Sequence, residues 1–189
     1  MTDESSASEG RASARPGPRL TPVVTPGTCG STSLRGECPR RKHPAHFAPR
    51  EVHNRPIIIF VTACTQKRRK VLASAETHRA ILAAWGSADA WLVGRYVIMP
   101  DHLHFFCARN GMEAPSLERW MRYWKSLVTR TLKVGAETLW QRDHWDRQLR
   151  RGESYAAKWD YVCSNPVRHG LVARTEEWPL QGELNVLPW

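Results

Sequence analysis

Two apolar runs, Trp91–Ile98 and Leu103–Ala108, stand either side of Met99-Pro100-Asp101. Runs of this length, rich in β-branched and aromatic residues and parted by a proline-bearing turn, predict a β-hairpin. A hairpin commits the chain to an antiparallel sheet, in which successive side chains alternate between the two faces. Just past the turn, His102 and His104 therefore share one face while Leu103 points to the other.

The remaining elements build outward from this hairpin. Ile57–Cys64 is a continuous buried-type strand that stops at the charged run Lys67-Arg68-Arg69-Lys70. Thr77 to Ala90 predicts a helix with Ile81, Leu82, Ala84 and Trp85 inward and Gly86 as a weak point. Pro115-Ser116 opens a second helix to about Leu132, whose Leu117, Trp120, Met121, Trp124, Leu127 and Val128 recur at helical spacing. Leu139–Trp145 is strand-like, and Glu153–Ser164 makes a last helix closed by Asn165-Pro166, because proline cannot continue a helix interior. Strand, helix, strand, strand, helix, strand, helix gives an α+β fold: a ferredoxin-like antiparallel sheet with helices packed on it, followed by a C-terminal helix.

Residues 1–50 have a different texture. They hold seven of the 13 prolines, five glycines, six serines and the single aromatic Phe47, whereas all nine tryptophans and all four tyrosines come later. Such a segment has too little apolar surface to offset its ordering entropy, so a disordered basic tail is expected before a domain over 51–189. The formal charge is +10, of which the tail carries +4, so the domain is basic in its own right. That balance favours an anionic partner, with nucleic acid foremost. No apolar run approaches the ~20 residues needed to span a bilayer. Five cysteines without C-x-x-C spacing, and an acidic N-terminus without an apolar core, suggest a reduced cytoplasmic protein. Cys29 and Cys38, eight residues apart in a Gly/Ser-rich stretch, are at most a weak metal signal.

Chemistry concentrates on the last helix and the hairpin. Tyr161 and Asn165 are four residues apart and stack along one helix face. At ~100° per residue, Tyr155, Trp159 and Val162 form a packing stripe, while Lys158, Tyr161 and Asn165 fall together on the neighbouring flank. Two neutral imidazoles and an amide oxygen make a ligand set for Mg2+ or Mn2+ that leaves positions for phosphate and water. A phenol beside such a site can attack a phosphodiester, and Lys158 can stabilise a phenolate or hold the phosphate. Asp101 and His144 are candidate assistants, Asp101 doubling as a plain turn residue; Tyr155 and Tyr123 are the next tyrosines in line. Arg119, Arg122 and Lys125 fill the polar side of the second helix, either as a solvated face or as contacts to DNA, with tryptophans nearby for stacking.

The stretch Val97-Ile98-Met99-Pro100-Asp101-His102-Leu103-His104 resembles the REP-associated tyrosine transposases, a single-tyrosine branch of the HUH (His-hydrophobic-His) endonucleases. Leu139-Trp140-Gln141-Arg142, Leu149-Arg150, Asp160 through Val172 and Trp178-Pro179 carry the resemblance on, over about residues 53–180. It implies His102, His104 and Asn165 as metal ligands and Tyr161 as a nucleophile forming a 5′-phosphotyrosine link in single-stranded DNA, often at hairpins of repeated palindromic elements. It also implies a monomer or homodimer. Where the family pattern has Asp-His before Leu-Arg, this chain has Asp146-Arg147-Gln148. A DNA-hairpin-binding protein of the same fold without cleavage is the alternative, against which the intact quartet His102, His104, Tyr161 and Asn165 speaks.

Overall fold

The Met99–Asp101 turn closes as the sequence predicts. In the computed structural model, which describes residues 57–135, 139–149 and 155–187, strands β2 (Trp91–Ile98) and β3 (His102–Arg109) form the hairpin. Strand β1 (Ile59–Thr65) pairs antiparallel with β3 on one side and with β4 (Trp140–Gln148) on the other. A short strand β5 (Gln181–Glu183) adds to β2, giving the order β4-β1-β3-β2-β5 with every pairing antiparallel. Helices α1 (Ala75–Ser87) and α2 (Leu117–Thr131) complete the strand-helix-strand-strand-helix-strand succession of a ferredoxin-like sheet. The described residues lie in one unit, Arg41–Trp189; the expected tail over residues 1–50 falls outside them.

Alternation divides the sheet into two chemically distinct faces. Val61, Ala63, Leu103, Phe105 and Cys107 pack with Ile81 and Trp85 of α1 and with Trp120, Met121, Trp124 and Val128 of α2. Edge-on ring pairs knit this layer, among them Trp85–Trp124 at 5.8 Å and Trp124–Trp140 at 5.4 Å. Truncating one of these buried tryptophans to alanine would cost about 3–5 kcal/mol. The opposite face carries Ile58, Val97, Phe106 and Ala108 under Tyr155 and Val162 of α3 (Tyr155–Cys163).

Local chemistry sets the helix boundaries. Ser74 caps α1 by accepting from the Thr77 amide, and Ser116 caps α2 by accepting from the Arg119 amide. Helix α1 ends at Ser87, three residues before the expected Ala90, where the chain turns into β2. The last helix also differs from expectation. Pro166 has no N–H for the Val162 carbonyl, so α3 stops at Cys163 and a separate turn, α4 (Asn165–Arg168), begins at Asn165. Tyr161 and Asn165 thus lie on consecutive helices rather than on one.

The basic side of α2 requires a correction. Lys125 is buried, and its ammonium donates to the carbonyls of Gln141 at 3.0 Å and Asp143 at 3.3 Å, tying α2 to β4. It is not available to DNA. Arg119 and Arg122 are exposed, Arg122 lying 3.6 Å from Glu118, but their helix covers the sheet face opposite the histidine pair. Trp120 and Trp124 are core residues and cannot stack on bases.

Burial pushes the Lys125 ammonium down to about 8, against ~10.4 in an unfolded chain. Between those values the unfolded chain binds more protons, so this group's contribution to stability rises with pH. The stability difference between wild type and Lys125→Met should move in favour of wild type by on the order of 2 kcal/mol from about pH 7.5 to about pH 10.5. Urea denaturation at several pH values measures this, and a pH-independent difference would show that the ammonium is solvated.

Candidate active site

The site face of the sheet is assembled by register. Thr62 on β1 lies opposite His104 on β3, Cys64 lies opposite His102, and Phe60 lies opposite Phe106. Residues facing one another across an antiparallel pair point the same way. The two imidazoles therefore emerge beside Thr62, with ring centres 4.7 Å apart and planes nearly perpendicular. Phe60 stacks on His104 at 5.4 Å and forms the floor beside it.

Each imidazole is held through Nδ1. His102 Nδ1 donates to Asp101 Oδ1 at 2.7 Å, and His104 Nδ1 lies 2.8 Å from Thr62 Oγ1. A carboxylate on Nδ1 fixes that proton and leaves Nε2 with its lone pair, the usual outer support of a metal-binding histidine. The Thr62 hydroxyl gives His104 the same tautomer when it accepts. Neither Nε2 has a hydrogen-bond partner among the described residues. Burial, reinforced by the charges of His102 and Arg68, depresses His104 to about 3. Burial also lowers His102, although the Asp101 hydrogen bond partly opposes it, so both rings are neutral at physiological pH.

Asp101 is therefore more than a turn residue. Burial would raise its carboxyl, but the His102 hydrogen bond and the nearby charges of His102 and Arg68 outweigh that and keep it low. Its second oxygen accepts from Arg68 Nε at 2.8 Å. Arg68 reaches it through two successive left-handed residues, Lys67 (φ 54°) and Arg68 (φ 55°), a conformation costing about 1–3 kcal/mol per residue. Thr65 anchors that loop, its hydroxyl donating to the carbonyls of Arg69 (2.8 Å) and Asp101 (2.9 Å).

Helices α3 and α4 close the site from above. Tyr155 and Val162 are buried, so the stripe expected from the helical wheel is the packed one, and Tyr161 is left 56% exposed. Lys158 Nζ lies 5.1 Å from the Phe60 ring centre and 5.4 Å from that of Tyr161. The Arg168 guanidinium sits 4.7 Å from the Tyr161 ring centre and donates to Asn165 Oδ1 at 3.5 Å. A hydrogen bond from Arg168 and its charge, with a smaller part from Lys158, hold the Tyr161 phenol below its ordinary pKa. Asn165 is buried, and His169, one turn on, brings its ring to 6.4 Å from His102. His104, Phe60, Lys158, Tyr161, Arg168 and Asn165 thus form a chain of contacts, and His169 links the same segment back to His102.

Comparison with known proteins gives these residues a context. A solved REP-associated tyrosine transposase bound to a REP hairpin superposes with a TM-score of 0.56 at 22% identity, covering 72% of this chain and 82% of that one. The fold is that of a REP-associated tyrosine transposase. The REP-associated tyrosine transposase of Escherichia coli K12 is 28% identical over 87 residues, 46% of this chain and 51% of that protein. A Haemophilus influenzae protein named for the same family is 30% identical, over 43% of this chain and 53% of its own length. The chain spans about half the length of the curated relatives it matches, and no family model matches it. The resemblance carried by the sequence motifs is thus found again in curated proteins and in a solved fold.

Other candidates are placed elsewhere. His144 lies opposite Ala63 and turns to the helix-covered face, 3.7 Å from Asp146, so it cannot assist at the histidine pair. Tyr155 is buried with its phenol pushed up by burial, and it accepts from the Arg95 amide. Tyr123 is exposed on α2, across the sheet. Four contributors carried no assigned role in the sequence: Thr62, Phe60, Arg68 and Arg168. The carboxylate directly preceding His-x-His was the one local signal for the outer support.

In metal-free protein, nitrogen-detected NMR should find both rings as the Nδ1–H tautomer, with His104 neutral down to about pH 4, consistent with a pKa of about 3. Thr62→Val should leave the fold intact and mix the His104 tautomers. An Nε2–H ring at His104 in wild type would contradict the ligand geometry.

Proposed function

We propose that the chain is a tyrosine transposase that nicks and rejoins single-stranded DNA at hairpins through a 5′-phosphotyrosine link to Tyr161. One observation carries the reading: two unpaired Nε2 atoms share a face with an exposed tyrosine flanked by two cations. The hairpin-bound neighbour and the curated relatives support the substrate class.

Tyr161 loses its proton to solvent more readily because Arg168 and Lys158 stabilise the phenolate. Its oxygen forms the new bond to phosphorus as the bond to the 3′ oxygen breaks, and that oxygen leaves as a 3′ hydroxyl after gaining a proton. Lys158 and Arg168 hold the non-bridging oxygens in line. The phosphodiester energy is retained in the tyrosine ester, so attack by a second 3′ hydroxyl reseals a strand without an external energy source.

The donor set suits a divalent ion. His102 and His104 offer two neutral nitrogens, and the buried Asn165 amide offers an oxygen from the last helices. Mg2+ or Mn2+, when bound, would neutralise charge on the phosphate. His102, His104 and Asn165 would hold it, with Asp101 and Thr62 orienting the rings.

Tyr161→Phe should abolish the covalent protein–DNA adduct while leaving hairpin affinity within about threefold, since a lone exposed hydroxyl contributes less than ~1 kcal/mol to binding. Denaturing gel electrophoresis of labelled single-stranded, hairpin and fully paired oligonucleotides with Mn2+ is the test. Adduct is expected on unpaired DNA and not on the uninterrupted duplex, which resists the bend required, and it should vanish reversibly in excess chelator. Wild-type adduct levels in Tyr161→Phe, or undiminished cleavage in chelator, would overturn the reading.

A further inference from the structure

Trp145 is out of keeping with the other tryptophans. Trp85, Trp91, Trp120, Trp124 and Trp140 are all buried, and Trp159 and Trp178 are partly so. Trp145 is 52% exposed. Its ring has no hydrogen-bond or aromatic partner among the described residues. It lies on β4, at the sheet edge, opposite Thr62, the residue that holds His104. Trp145, Thr62 and His104 therefore form one row on one face, and at about 4.8 Å per strand the indole stands roughly 10 Å from the His104 backbone.

Of the same-face neighbours of Trp145 on β4, Asp143 is acidic and Arg147 is basic. Arg147, two residues along β4, lies opposite Phe60 and is exposed. Lys158 stands above Phe60, and Arg168 and Arg68 rim the far side of the site. Asp101, beside the histidine pair, is engaged by His102 and Arg68. An exposed indole with cations near it suits an unpaired nucleotide: the ring stacks on a base while the cations take phosphates.

We propose that Trp145 is a base-stacking platform for single-stranded DNA flanking the scissile phosphate. The proposal rests on the cleavage reading for the scissile phosphate and on the sheet register for its location. The two-strand separation places the stacked base within a few nucleotides of the bond cut. Strand β4, rather than the basic helix α2, is then the surface that tracks the DNA.

The test is a cycle of protein and base deletions by fluorescence anisotropy on the full chain. The probes are a fluorescein-labelled oligothymidylate and an abasic oligomer of the same length, at one salt concentration. Trp145→Ala should weaken oligothymidylate binding roughly 5- to 100-fold, the range of one lost base–aromatic stack. Trp145→Phe should stay within about threefold, because a π-face remains. Trp145→Leu, apolar without that face, should behave as the alanine variant. The abasic oligomer should not distinguish any of them from wild type, and Arg119→Ala with Arg122→Ala should bind oligothymidylate like wild type.

Wild-type affinity in Trp145→Ala, or an equal loss on both oligomers, would overturn the proposal. So would a change of mass by light scattering in Trp145→Ala with unchanged DNA affinity, which would make the indole a contact between copies of the chain. The assay needs no cleavage, so the two readings fail separately. Absence of a Tyr161 adduct beside a positive cycle removes the chemistry and keeps the platform, and the reverse outcome removes only the platform.

Discussion

The pairing of β1 with β3, which sets Thr62 opposite His104, is the constraint on which the rest of the site depends. A slip of one residue would turn every side chain to the other face, taking both imidazoles into the helix-covered core and exposing Leu103 and Phe105. The apolar residues of β1 and β3 prevent that slip, because Val61, Ala63, Leu103, Phe105 and Cys107 have a single face on which they can pack against α1 and α2. Core burial on one side of the sheet thus specifies the geometry of polar residues on the other. Strand β4 extends the same logic to the edge, where His144 turns inward and Trp145 and Arg147 turn outward.

The tyrosine is placed by a similar division of labour. Tyr155 and Val162 dock α3 on Phe106 and its neighbours, with the Tyr155 and Phe106 rings edge-on at 4.8 Å. That docking leaves Lys158 over the Phe60 ring, with Tyr161 beside it. The break before Pro166 then redirects the chain so that Asn165 is buried while Arg168 folds back on Tyr161. A cation brought by the segment after the proline is what lowers the phenol's pKa. The proline therefore shapes the electrostatics around Tyr161 as well as ending the helix.

Much of this was legible in the sequence, and the exceptions share a cause. The hairpin, the shared face of His102 and His104 and the packing stripe of α3 follow from periodicities of two and 3.6 residues. Thr62, Phe60 and Arg68 did not, because their roles arise from strand register between segments some 40 residues apart, as with Thr62 and His104. Arg68 sat in a charged run that reads as the end of a strand. The sheet face that α2 covers was not legible, because charge alone does not say it. Lys125 could have been recognised, since on the helical wheel it falls about 40° from Met121, at the edge of the apolar arc, where a long stem can bury and its head must find carbonyls.

The central claim is that register on one sheet face prepares two histidines and the last helices to receive a divalent cation beside Tyr161. Anomalous diffraction from crystals of the full chain soaked in Mn2+ measures this directly. One peak at coordination distance from His102 Nε2, His104 Nε2 and Asn165 Oδ1 is predicted, lost in His104→Ala and retained in Tyr161→Phe. A peak held by other residues, or none in a crystal form whose dissolved protein still forms the adduct in Mn2+, would contradict it.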